Sequence, residues 1–405
     1  MRIRSFQGLR PSAEAVSEVV SLPYDVVGTE EARAMASGNP RSMLHVVRAE
    51  IDFPEGQDPY ADEVYAKAVG NFRALQERGD LVRETEPCLF LYRQRMGGHS
   101  QTGVVAVSHV DDYDAGRIKR HERTRVAKEN DRTRLTRDMR ANAGPVFLTF
   151  REDARIRALV DGHRQGEALY DLTTPDGIRH TVWRIPGGEE FVKAFQSVDA
   201  FYVADGHHRA ASAARVAREC REANPAHTGE EDYNWFLTVL FPAPELKILA
   251  YNRLVSDLNG LSPAEFLAKV GEVAPVRRGC EAAPEEPREI RFYLDGAWHG
   301  IRIEPPEGAD PVSSLDVSLL QDRILSPVLG IGDPRTDERI DFVGGVRGTD
   351  FLKAKVDSGE AGVAFSLYPV LVEQLMDIAD AGAVMPPKST WFEPKLRSGF
   401  AIHTF

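Results

Sequence analysis

The chain has 405 residues, 42% of them apolar and 28% charged, and its 50 Lys and Arg against 62 Asp and Glu give a formal charge of −12. At roughly 150 residues per domain this length gives two to three units that can bury their own cores. The ordinary composition argues against a disordered, collagen-like or coiled-coil chain, and the acidic balance against a surface that covers nucleic acid or an anionic membrane throughout. Cys88, Cys220 and Cys280 are too few and too scattered for a disulfide framework or a Cys-x-x-Cys metal site, which fits a reducing cytoplasm. The first ten residues lack the apolar core of a signal peptide, and no apolar run approaches the roughly 18 residues of a spanning helix. A cytoplasmic chain without a membrane segment is therefore expected.

Met43 to Ala49 reads as a strand, and Tyr60, Val64, Ala68, Phe72 and Leu75 follow at helical spacing up to Gly79. Cys88 to Met96 and Gln101 to Val110 are β-rich runs joined through Gly97-Gly98-His99-Ser100 as a hairpin. Gly144 to Phe150 reads as a buried strand, and Glu167 to Thr173 and Arg179 to Ile185 as a pair around Pro175-Asp176-Gly177. A short strand, Phe201 to Ala204, feeds the best helix of the chain, His207 to about Ala223, which Asn224-Pro225 stops.

Trp235 to Phe241 returns as a strand, and Pro242-Ala243-Pro244 marks a boundary dividing the chain into 1–244 and 245–405. Beyond it come a helix from Pro263 to Val273, a hairpin from Ile290 to Ile303 turning at Asp295-Gly296, and an amphipathic helix around Leu315, Leu319, Ile324 and Leu329. Two more α and β steps lead to the tail Met385-Pro386-Pro387-Lys388-Ser389-Thr390-Trp391. Strands and helices alternate throughout, so the fold class is α/β of mixed α+β character.

The sharpest chemical signal is Asp205-Gly206-His207-His208-Arg209, where an apolar strand turns into a helix. A helix N-terminus offers unpaired N–H donors and partial positive charge, so phosphate is the expected guest. His and Arg in the first turn add charge-assisted donors, and Gly206 lets the backbone come close. The plainer reading, a capping Asp205 and solvated histidines, leaves most of this cluster unexplained. His207 and His208 point about 100° apart on a helix, which makes a zinc site from that pair unattractive.

The second signal is Arg117 to Arg140, with ten cations against four carboxylates, including His121, Glu122, Lys128, Asp131 and Arg132. It reads equally as a solvated helix face or as a polyphosphate patch in which the ionised form of Glu122 is favoured. Pro23-Tyr24-Asp25-Val26-Val27 is a third, weaker motif that a plain turn also explains.

These segments, Pro23 to Val27, His121-Glu122 with Lys128 and Asp131-Arg132, Ala204 to Arg209, and Met385 to Thr390, resemble in order the Domain of Unknown Function 1015 family, from Arg2 to Phe405. The core around Asp205 to Arg209 is also similar to the ParB and sulfiredoxin superfamily, small α/β folds that bind nucleotides through a Gly-His-Arg type loop. Among them, archaeal free serine kinases move a phosphoryl group from a nucleotide to the hydroxyl of free L-serine. The resemblance implies a ParB/sulfiredoxin-like core with an N-terminal extension over 1–244, and an α+β domain over 245–405 whose tail returns to the site.

It further implies a kinase with ATP or ADP as donor, Mg2+ as cofactor, and a small hydroxylated metabolite such as L-serine as acceptor. On that reading Gly206, His207, His208 and Arg209 hold phosphates with His121, Lys128 and Arg132, and Asp205 lies beside the reacting oxygen or its magnesium. Glu122 is the candidate base, His208 joins Glu122 and Asp205 in catalysis, and Lys388, Ser389 and Thr390 close over the nucleotide. Sulfiredoxin chemistry is absent from this picture, because the position of its reactive cysteine is His207. A DNA-associated ParB-like role lacks a helix-turn-helix and suits the acidic charge poorly. A nucleotide-binding regulatory module without turnover is the alternative of another class, and a homo-oligomer stays open.

Overall fold

The apolar strand runs pair into two large sheets, one in each of two units of the computed structural model, which describes Met1–Phe405, and three two-stranded sheets accompany them. The first unit comprises Met1–Leu246 and Pro394–Phe405, and the second Lys247–Glu393. The last twelve residues thus fold with the first unit.

The nine strands of the first sheet are β1 (Ile3–Arg4), β2 (Cys88–Met96), β3 (His99–His109), β4 (Ile118–Lys119), β5 (Val146–Phe150), β6 (Tyr170–Thr173), β7 (Arg179–Pro186), β8 (Phe201–Asp205) and β9 (Trp235–Pro242). Their order is β4-β8-β5-β9-β3-β2-β7-β6, with β1 also on β3. The sheet is mixed: β8 runs parallel to β4 and antiparallel to β5, while β9 runs parallel to β5 and antiparallel to β3. Gly97, at φ +56°, and Gly98 alone make the β2–β3 turn, so the hairpin is tighter than the four-residue link expected. Leu91, Val104, Leu148, Phe201 and Val203 build the core of the sheet.

A helical layer forms a second core in this unit. It contains α1 (Asp62–Glu77) and α2 (Val126–Met139), with Val64, Leu75, Leu135 and Met139 buried together beside Tyr24 and Ile402. Here the expected strand at Met43 to Ala49 is wrong. Leu44–Val47 is a helical turn followed by a 3₁₀ turn at Ala49–Asp52. Its β-branched residues pack against helices rather than a sheet edge, and that burial overrides their β propensity. The long helix α3 (His207–Ala223) packs on α2.

The second unit holds an antiparallel sheet of β10 (Tyr251–Val255), β11 (Arg277–Arg278), β12 (Glu289–Leu294), β13 (Ala297–Arg302), β14 (Ile340–Gly344) and β15 (Val363–Leu367), in the order β11-β13-β12-β15-β10-β14. Helix α4 (Pro263–Val273) starts at Ser262, which forms a capping box with Glu265, and Asp295-Gly296 turn β12 into β13 with both φ values positive. The amphipathic stretch near Leu315 is a short helix, Asp316–Leu320, that widens into a π turn at Gln321–Leu325. No helix is long and apolar enough to cross a membrane.

Candidate active site

The site forms where β8 meets α3. The register of β8 against β5 passes from Val203 opposite Leu148 to Asp205 opposite Phe147, so Ala204 is an extra residue in the strand. A bulge of this kind bends a strand end and re-aims the next side chain, here Asp205. Gly206 follows at φ +92°, a left-handed conformation that costs other L-residues free energy, and a Cβ there would sit 3.0 Å from Arg209 Nε.

Arg209 folds back beneath this turn with its side chain 11% exposed. It donates to the Pro145 carbonyl at 2.6 Å and to Asp205 Oδ2 at 3.1 Å, and lies 3.6 Å from Asp25 Oδ2. Lys395 Nζ stands 4.0 Å from the other oxygen of Asp205. Burial pushes the Asp205 carboxyl up, but Lys395, Arg209 and the Gly206 amide outweigh it and hold it below the usual carboxylate range.

The two histidines of the turn separate, as adjacent helical residues must. His207 is buried against His121, with ring centroids 4.5 Å apart and planes at 90°. Its Nδ1 lies 3.8 Å from Oε2 of Glu122, whose side chain is 53% exposed. Burial, then the neighbouring His121, drives the pKa of His207 well down, and burial lowers His121 to about 4. Both rings are therefore neutral near pH 7. His208 turns the other way: its Nε2 accepts the backbone N–H of Arg125 at 3.0 Å, and burial keeps it below the ordinary histidine value against the opposing pull of Asp25.

His121, Glu122, Asp205, Gly206, His207, His208 and Arg209 thus share one locality, with Lys128 acting electrostatically on His208. Two of the expected phosphate-binding cations are engaged with protein groups instead. Arg209 holds carboxylates and a carbonyl, and Arg132 pairs with Asp131 at 2.7 Å and covers the Tyr24 ring at 4.1 Å. Other cations of the 117–140 stretch are likewise engaged locally: Arg134 lies over Tyr65, Arg137 beside Glu219, and Arg120 over Tyr113. Most of these cations are thus paired with protein groups, some on the face of α2 and others in the segment that precedes it.

Lys388, Ser389 and Thr390 belong to the second unit. Arg253 donates to the Lys388 carbonyl at 3.1 Å, and Ser389 Oγ donates to the Pro386 carbonyl at 2.7 Å. The tail residue beside Asp205 is Lys395. Neither it nor Asp25 was singled out as a site residue. Asp25 belongs to the Pro23–Val27 turn and Lys395 to the chain's last segment, and nothing in the linear pattern indicates that either lies beside residues 205–209.

The fold and site define a mixed α/β protein with a polar, carboxylate-lined corner between a strand and a helix. The chain belongs to the family described as "Protein of unknown function (DUF1015)", whose model matches residues 3–318. The matched range stops short of the tail, so the resemblance read out to Phe405 is supported for that range alone. Comparison with curated proteins gives no match. Among solved structures, a free serine kinase in complex with AMP aligns at 14% identity and a TM-score of 0.36, over 71% of this chain and 86% of its own. SbnI with a C-terminal truncation, from Staphylococcus aureus, aligns at 11% identity and 0.37, over 73% and 85%. A conserved hypothetical protein from Pyrococcus furiosus gives 15% and 0.35, over 73% and 93%.

Proposed function

We propose that the protein is a nucleotide-dependent kinase that transfers a phosphoryl group from ATP or ADP to the hydroxyl of free L-serine or a similar small metabolite. The observation that carries this reading is the β8–α3 corner, where a left-handed glycine, the start of a 17-residue helix, Asp205, Glu122 and Lys395 lie together. Phosphoryl transfer asks little covalent help of a protein. It needs donors around the phosphates, positive charge, and a carboxylate for the attacking hydroxyl.

The first N–H groups of α3 are the phosphate donors, and Lys395 adds charge from the tail. Arg209 serves the phosphates indirectly, by fixing Asp205 and Asp25. These two carboxylates, both on Arg209, are the hard oxygen donors that magnesium accepts beside phosphate, and they are the residues that would hold it. Held there, magnesium would supply positive charge to offset that of the phosphate oxygens. Glu122, more than half exposed, orients the acceptor hydroxyl and takes its proton as the new O–P bond forms and the bond to the nucleotide breaks.

The test is nucleotide consumption by the purified protein with magnesium, with and without L-serine, read together with phosphoserine formation. Serine-dependent turnover supports the reading. Binding without consumption would replace it with a nucleotide-responsive regulatory module, and failure to bind ATP or ADP would remove both.

A further inference from the structure

We propose that His121, Glu122 and His207 form a site for one divalent transition-metal ion of the zinc class. One donor atom from each residue lies within 4.8 Å of the other two. Around zinc, with bonds of about 2.0–2.2 Å, tetrahedral ligands stand roughly 3.3–3.5 Å apart. Contraction by about an ångström, made chiefly by Glu122 at the exposed edge of the cluster, completes the shell.

Independent support comes from the ring nitrogens. Nδ1 of His121 and Nε2 of His207 are buried without a hydrogen-bond partner, in side chains only 2% and 5% exposed. Native proteins rarely leave such atoms unpaired, and a bound ion is one established way in which they are satisfied. His121 also bonds the Val203 carbonyl through its ring, the outer support that fixes the tautomer and orientation of metal-binding imidazoles. His208 is excluded, because its Nε2 already accepts from Arg125.

Two imidazoles and one carboxylate leave a fourth position open, and this donor set selects zinc-class ions over magnesium, which prefers oxygen throughout. The site is thus distinct in chemistry from the Asp205–Asp25 pair. It goes beyond the phosphoryl-transfer reading and touches it at one residue. Glu122 cannot ligate zinc and accept a proton together, so zinc would inhibit the proposed turnover.

The experiment is calorimetric titration of the full-length, metal-stripped protein with Zn2+ alone, without nucleotide, with Co2+ as a spectroscopic probe. One equivalent of tight binding and the visible bands of tetrahedral Co2+ are expected. His121→Ala and His207→Ala should each weaken binding about 100-fold, and Glu122→Gln about 10-fold. Circular dichroism identifies any histidine variant that fails to fold. In that event Glu122→Gln, altered at an exposed position, decides the matter. No saturable Zn2+ binding, or binding unchanged by Glu122→Gln and by every folded histidine variant, overturns the site. A failed titration leaves the serine-dependent assay unaffected, and a failed assay leaves the titration unaffected.

Discussion

Arg209 contributes to the charge balance of the β8–α3 turn, because a buried guanidinium stands beside both Asp25 and Asp205, the latter shared with Lys395. Arg209→Ala should lower stability by about 2–3 kcal/mol. This is less than the roughly 3–5 kcal/mol for breaking a fully buried pair, since both carboxylates keep some contact with water. Urea denaturation measures it, and a wild-type midpoint would show that the pairs contribute little. Glu122 is more exposed than either of these carboxylates. Glu122→Gln should keep the fold and nucleotide affinity while slowing turnover by about 10² to 10⁴, the usual range for a positioned base. Steady-state kinetics beside a nucleotide titration separates the two effects, and an unchanged rate would remove Glu122 from the mechanism.

The elements around the turn explain why these residues meet. The bulge at Ala204 and the left-handed Gly206 reverse the chain within two residues, so Asp205 and Arg209 fall on the same side. Gly206→Ala should therefore cost about 1–2 kcal/mol through backbone strain alone. It should also weaken nucleotide binding, because the new methyl displaces Arg209. Thermal melting and titration of this variant test both, and an unaffected protein would mean that the turn relaxes freely. The strand and helix flanking the turn were readable: Phe201 to Ala204 became Phe201–Asp205, and the helix from His207 to Ala223 kept both ends. Apolar runs bounded by Gly and Asn-Pro carry that information locally. Met43 to Ala49 shows the limit, since a β-branched run of that length packs equally well as a helical turn when its neighbours are helices.

The first unit is closed by the end of the chain. Arg397, 3% exposed, bonds Asp176 and lies 3.4 Å from Nε2 of His180, whose Nδ1 meets the Tyr92 hydroxyl at 2.7 Å. Burial first, then Arg397, lowers His180 from 6.5 to about 3. On acidification the unfolded chain takes up this proton before the folded one. The contribution is complete above about pH 6.5 and declines as pH falls toward 3, by about 2–3 kcal/mol between pH 6.5 and 4.5. His180→Gln should flatten that part of the profile. Denaturant midpoints measured across this range in both proteins decide it, and parallel slopes would show that His180 is not the titrating group.

Composition and pattern determined the alternating strands and helices and the polar strand-to-helix turn of Asp205 to Arg209, because each is written in neighbouring residues. Only tertiary structure decided which distant groups join them. His121 meets His207, Asp25 meets Arg209, and Lys395 meets Asp205 through the pairing of β4 with β8 and the return of the tail into the first unit. The same folding engages Arg132 with Tyr24 and Asp131. A side chain's chemistry is local, but whether its charge faces a ligand, a partner or the core depends on what the rest of the chain packs against it.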